Sequence, residues 1–453
     1  MNKLAIVALV AASATLIGCH HDDDDDRPRS SLQAVHASAD APRANILLNN
    51  REILTGVEYA TSSGFLRVNA GTNTVQVDVQ LPGDEVATVI PATELRLARD
   101  MRYTVMVIGD ADEENNQVAP LVVERPRSGQ ADAETLDVQI VHAASGVPDV
   151  NVFVTAPDAS LEGATALDTL QYGEFTEVVN VPADTYRVRL QTADGQVVAF
   201  DSGPIALAAN TELTVAAVLN PDSDAASPVK LMVMDGTDTT LVYDQNETAD
   251  VRVGHLVDGA PAVDVRANGE VIDGLKGVEF KTVSDYLDLP PAAYDIDVVV
   301  TDTETVLIEA GDFEVSAGDD TSIYAVLTTP EPLEIEPLVV SDIRRPVATS
   351  AILNVVHAAA NPVAEFVDVY LTANSSIDGS DPALSNFAYK ESVGGVYVAA
   401  GTYFLTITVA GDAETVAIGP LEVTVENGVV YQAIAIDDSA GTGFDVLLQD
   451  ITD

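Results

Sequence analysis

The chain has 453 residues, 72 acidic against 21 basic, a net charge of −51, 47% apolar residues, one Cys and no Trp. That length implies several domains, and that charge excludes a nucleic-acid partner, because the phosphate backbone would be repelled. A single Cys excludes intramolecular disulfides, so stability must come from apolar cores. The carboxylate-rich surface reads as solvation in a saline habitat, where salt screens its self-repulsion, with diffuse Ca²⁺ binding as the alternative.

The chain opens on Met1-Asn2-Lys3 and an apolar run over residues 4–17. The run is too short to span a bilayer and fits the apolar region of a signal peptide. It ends in Leu16-Ile17-Gly18-Cys19, which resembles the bacterial lipobox. That resemblance implies cleavage before Cys19 and lipid on its sulfur, so residues 1–18 are expected to be a lipoprotein signal peptide. Residues 19–30 follow as an acidic tether, with His20-His21 and the run Asp22-Asp23-Asp24-Asp25-Asp26. An unstructured His-His-Asp cluster has no preformed metal geometry. By resemblance to enterobacterial lipoproteins, the lack of Asp after Cys19 points to the outer membrane. The expected partner at this end is therefore a membrane, reached through the lipid on Cys19.

Beyond the tether four His recur in one context, at Gln33-Ala34-Val35-His36, Gln139-Ile140-Val141-His142, Arg252-Val253-Gly254-His255 and Asn354-Val355-Val356-His357. Each is followed by a Pro (Pro42, Pro148, Pro261, Pro362) and then by an Asx between apolar residues (Asn45, Asn151, Asp264, Asp368). A second anchor is a turn entering an alternating strand, such as Val68-Asn69-Ala70-Gly71-Thr72 or Val398-Ala399-Ala400-Gly401-Thr402. These anchors divide the chain into modules at 31–127, 136–236, 249–346 and 351–453. Modules one and three are alike in Gly56-Val57-Glu58-Tyr59 and Gly277-Val278-Glu279-Phe280, whereas two and four carry longer inserts, at 158–172 and 375–389. Arg125-Pro126-Arg127 and Arg344-Arg345-Pro346 close modules one and three. The simplest account is duplication of an already duplicated pair.

Period-two strands at regular spacing predict an all-β chain of four tandem β-sandwich modules, immunoglobulin- or transthyretin-like, each of about 100 residues and roughly seven strands. Four elements carry a resemblance to a known family. They are the opening V-x-x-V-H-A strand, as at Val138-Gln139-Ile140-Val141-His142-Ala143, the Pro that follows it, the strand Val367-Asp368-Val369-Tyr370 and the turn Ala400-Gly401-Thr402-Tyr403. Together they resemble the bacterial domain-of-unknown-function family 4397. The resemblance covers nearly the whole mature chain and implies no established activity. Module three departs from the pattern at Gly254-His255-Leu256.

Strand parity places Val138, Ile140 and His142 on one face, so each repeated His is expected on the core side at its strand's exit, fixing the Pro loop. The alternative is a metal ligand or catalytic base, but zinc wants three or four ligands and each module offers one His and no Cys. By the same parity the Asx side chains face away from the core. The stretch Asp110-Ala111-Asp112-Glu113-Glu114-Asn115 begins like a Ca²⁺ loop and lacks its Gly. No nucleophile elbow, H-E-x-x-H or phosphate loop occurs. These readings predict no enzyme, no cofactor and no metal. They predict an envelope lipoprotein with structural, adhesion or surface-interaction roles, whose partner is a surface protein or polysaccharide. The alternatives are a ligand-binding lipoprotein, with sites in the long inserts or at module junctions, and a hydrolase with an unrecognised site.

Overall fold

The computed structural model describes residues 28–83, 85–111, 117–127, 134–329, 333–440 and 443–453. Cys19, the apolar leader and the acidic run lie outside the described residues, as do residues 112–116 of the Ca²⁺-loop-like stretch.

The first module contains β1 (Arg29–His36), β2 (Ala44–Leu48), β3 (Arg51–Val57), β4 (Thr61–Ser62), β5 (Leu66–Asn69), β6 (Gly71–Leu81), β7 (Glu85–Leu97), β8 (Met101–Ile108) and β9 (Ala119–Pro126). They form two sheets. One has the order β4-β1-β8-β9 with β5 also on β1, and the other is β3-β2-β6-β7. In β6, Val75, Val77 and Val79 alternate with Gln76 and Asp78, which buries one face and leaves the other wet. The central strands β1 and β8 run parallel, from Ser31 opposite Arg102 to His36 opposite Val107. A parallel pair cannot be closed by a hairpin, so the second sheet serves as the crossover between them.

The same plan recurs three times. The parallel central pairs are Thr135–His142 with Glu212–Leu219, Ala249–His255 with Asp320–Thr329, and Ala351–His357 with Val430–Asp438. Each module holds eight or nine strands where about seven were expected. The excess consists of short edge pieces such as β4 and Thr239–Val242, too brief to leave a period-two signal.

The central strands are buried on both faces, and the two faces serve different cores. Leu32, Ala34, Tyr103, Val105 and Val107 face the second sheet of their own module. Val35, Met106 and Ile108 point the other way, onto Val141, Ala216, Val218 and Met232 of module two. Modules one and two thus pack their first sheets back to back. Modules three and four repeat the arrangement through Leu256, Tyr324, Val326, Val356 and Ile434. Fully burying one such side chain contributes about 1.5–3 kcal/mol, so each shared core is comparable to the core of a module.

Module three's departure at Gly254 has a steric cause. Gly254 lies opposite Tyr324, and a Cβ at Gly254 would come within 2.6 Å of that ring. The other modules place Val35 opposite Met106, Val141 opposite Ala216 and Val356 opposite Ile434. Tyr324 fills the space that a Val occupies elsewhere.

Candidate functional site

All four repeated His are buried, at 1–2% exposure, and each ring holds the loop that leaves its strand. Nε2 meets Pro42 O at 2.9 Å from His36, Pro148 O at 3.2 Å from His142 and Pro261 O at 3.0 Å from His255. In module four three extra residues form a 3₁₀ turn over Pro362–Ala364, and His357 reaches Ala364 O at 2.7 Å instead. Pro362 therefore starts that turn without supplying the acceptor. The backbone N–H of Ser38 donates to His36 Nδ1 at 3.4 Å, and that of Val257 donates to His255 Nδ1 at 3.3 Å. An accepting Nδ1 leaves Nε2 as the protonated nitrogen, so these two rings are neutral donors to the loop carbonyl. Burial pushes His36 down to about 4, overriding the raising effect of the Pro42 bond, and lowers the other three as well.

An aromatic residue stands edge-on to three of the rings: Tyr59 to His36, Tyr172 to His142 and Phe280 to His255. His357 has Tyr389 edge-on and Phe387 stacked. The residue after each aromatic, Ala60, Gly173, Lys281 or Lys390, has positive φ and donates its N–H to the carbonyl of the repeated His. The aromatic also joins modules. Tyr59 donates to Leu219 O of module two, and Tyr389 donates to Leu327 O of module three at 2.6 Å.

The Asx side chains lie on the outer face, as parity requires, yet three are buried beneath the adjoining edge strand. Asn45 Oδ1 accepts from Gly56 N at 2.8 Å, and Asp264 Oδ1 accepts from Gly277 N at 2.8 Å. Both glycines have positive φ, at 62° and 67°, which accounts for the shared Gly-Val-Glu-aromatic segment of modules one and three. Asp368 Oδ1 accepts from Asn386 N at 2.8 Å, and the half-buried Asn151 accepts from Thr169 Oγ1 at 2.7 Å. Motif residues from different modules do not converge on one another. Each set braces its own module.

The basic segments closing modules one and three act as stitches. Arg125 donates to Leu213 O at 3.2 Å, and Arg102 beside it pairs with Glu212 of module two. Arg345 donates to Ala39 O at 2.6 Å and Ala41 O at 3.1 Å, linking the second module pair to the first. Arg344 pairs with Asp250, with Asp320 at 2.8 Å and with Asp453 at 3.2 Å.

Around Arg344 lies a polar cavity of about 240 Å³, walled by residues of all four modules, including Tyr59, Lys230, Glu247, Asp320 and Asp453. Burial pushes Glu247 and Asp453 up to about 7 and Asp320 up to about 6, and it lowers Lys230 to about 8. Carboxylate oxygens of Asp222, Asp250 and Asp453 lie within 4.8 Å of one another and form the one metal-capable group among the described residues. Arg344 already pairs with two of these three carboxylates, so a guanidinium provides the compensating charge there.

An apolar space inside module four touches both of the places the sequence suggested, through Ala383 and Leu384 of the 375–389 insert and through Pro82 and Gly83 of module one. The inserts at 158–172 and 375–389 form mostly exposed loops with short edge strands. The back-to-back junctions are closed apolar cores. Between the two sheets of module four, however, is a cavity of about 460 Å³, lined by Leu353, Val369, Leu405, Val423, Ala433 and Leu448 among others. Pro82 and Gly83, from the β6–β7 turn of module one, stand at its mouth. Sequence reasoning missed this cavity because its lining has the same alternating pattern as a filled sandwich core.

A family model described as "Domain of unknown function (DUF4397)" matches residues 30–153, 137–246 and 249–370. No curated protein matches the chain. Among solved structures, one similar chain is described as "The Bacillus anthracis TIE protein", with 10% identity and a TM-score of 0.16. The alignment covers 86% of this chain and 65% of that one, so this chain spans less than two thirds of its length. Likeness at that level carries no argument about fold or role.

Proposed function

We propose, from the premise that this chain belongs to the DUF4397 family, that it is a non-enzymatic lipoprotein of the cell envelope. In this reading the lipid on Cys19 holds it to a membrane, the outer membrane by the residue that follows, and the stretch between Cys19 and β1 acts as the tether. The four modules then present one rigid body for structural or surface-interaction roles, with a surface protein or polysaccharide as partner. The observation that carries the reading is the use of the repeated His, Pro and Asx residues. They hold loops, turns and neighbouring strands, and the same bracing recurs in every module. The apolar back-to-back cores and the Arg344–Arg345 stitches support a body that moves as a unit.

Cell fractionation of the wild type and of Cys19→Ala tests the anchoring. The wild type should sediment with membranes and take up labelled fatty acid, and the variant should remain in the soluble fraction without label. A wild-type chain found soluble and unlabelled would overturn the lipoprotein reading.

A further inference from the structure

We propose that module four binds one hydrocarbon chain of a single-chain amphiphile with an uncharged head, of the fatty-alcohol or monoacylglycerol class. The cavity between its sheets, at about 460 Å³, falls within the range of small-molecule pockets. It corresponds to about fifteen water volumes. A methylene group takes roughly the space of a water, so the cavity accommodates one long chain and not two.

The lining sets the chemistry. Among the described residues it consists of aliphatic side chains, Pro and Gly, with only two hydroxyls, those of Tyr397 and Tyr403. Inside, Tyr403 Oη donates to Ala399 O at 3.0 Å, whereas Tyr397 stands at the mouth, where its Oη accepts from Arg43 N at 3.1 Å. A polar group carried inside would lose its hydration without gaining a partner, so the part of the ligand within the sandwich must be hydrocarbon. The interior cavity of module three is about 60 Å³, too small for such a chain.

The mouth sets the head group. Pro82, Gly83, Val396 and Tyr397 also line a neighbouring groove that contains Arg43, Gln80 and Glu85. Arg43 is the one cation in that groove among the described residues. It already pairs with Glu58 and stacks at 5.0 Å on the Tyr397 ring. A carboxylate head would compete with Glu58 in a chain of net charge −51, whereas a hydroxylated neutral head can donate to the Oε1 of Gln80, whose Nε2 donates to Asn45 Oδ1 at 3.2 Å. Module one thus supplies the rim of a site whose barrel is module four.

The test uses the full chain and the Cys19→Ala chain, which carries no lipid of its own. Each is titrated with a fluorescent hydrophobe and then with a C16 monoacylglycerol or palmitate as competitor. The monoacylglycerol should displace the probe at least tenfold more effectively than palmitate in both chains. Ala433→Phe, which fills the cavity, should reduce probe binding at least tenfold while the melting temperature holds or rises. Val425→Leu, a milder filling, should reduce binding less and serves if Ala433→Phe fails to fold. Probe binding unchanged in the folded filled variants would overturn the site. Palmitate matching the monoacylglycerol would overturn the neutral head. Binding confined to the Cys19→Ala chain would make the occupant the chain's own lipid and overturn the proposal.

Discussion

Acid should weaken this protein through its buried histidines, and His36 allows the effect to be worked out. Its folded-state value is lowered from 6.5 to about 4 by burial. The unfolded chain therefore binds a proton between those two values that the folded chain does not. The stability contributed by neutral His36 is fully present above about 6.5 and is lost as pH falls toward 4. At 1.36 kcal/mol per pKa unit, that loss is roughly 3 kcal/mol for this ring alone. His36→Ala should remove this pH dependence and also lower stability at neutral pH. It deletes the bond to Pro42 O, worth about 1 kcal/mol, and leaves that buried carbonyl without its partner, a further cost of about 1–3 kcal/mol. Two measurements check the reasoning. The ring-proton NMR resonance of His36 should titrate near 4, and the gap in melting temperature between wild type and His36→Ala should narrow from pH 7 to pH 4.5. A His36 resonance titrating near 6.5 in the folded chain, or a gap that widens on acidification, would refute the argument.

Other outcomes follow from the packing. Met232→Ala, in the core shared by modules one and two, should cost about 2–5 kcal/mol and lower the calorimetric transition of both modules together; loss confined to module two would argue against a shared core. Arg344→Met should destabilise the junction of the module pairs by about 3–5 kcal/mol, because Asp250, Asp320 and Asp453 lose their counter-charge. Asp320 and Asp453 have raised folded-state values, about 6 and 7, so they favour the folded state when protonated, and that contribution is lost as pH rises through those values. The Arg344→Met defect, read as a difference in melting temperature, should therefore be larger at pH 8 than at pH 5.

The repeated anchors were legible because strand parity and turn chemistry are local. Val138, Ile140 and His142 share a face whatever surrounds them, and a Gly at positive φ marks its turn in the sequence itself. The role of Asn45 was only half legible. Parity put it outside the core, but its burial depends on β3 folding across it and presenting Gly56 N. Val35 and Met106 were harder still. A strand apolar on both faces shows that something covers it without saying what, and here the cover is a module whose central strand begins about a hundred residues later. The basic closing segments were noticed as sequence features, but their partners come from other modules.

By itself the sequence determined the period of the chain, the all-β modules and the likeness of alternate modules, because these follow from local alternation, turn residues and repetition. Tertiary structure decided how the modules meet: back to back in pairs, with Arg344 and Arg345 at the junction between pairs. It also decided where empty space remains. Volume between two sheets depends on their separation and on the fit of side chains from distant strands, and the same alternation of Val and Leu describes the core of module one and the lining of a 460 Å³ cavity in module four.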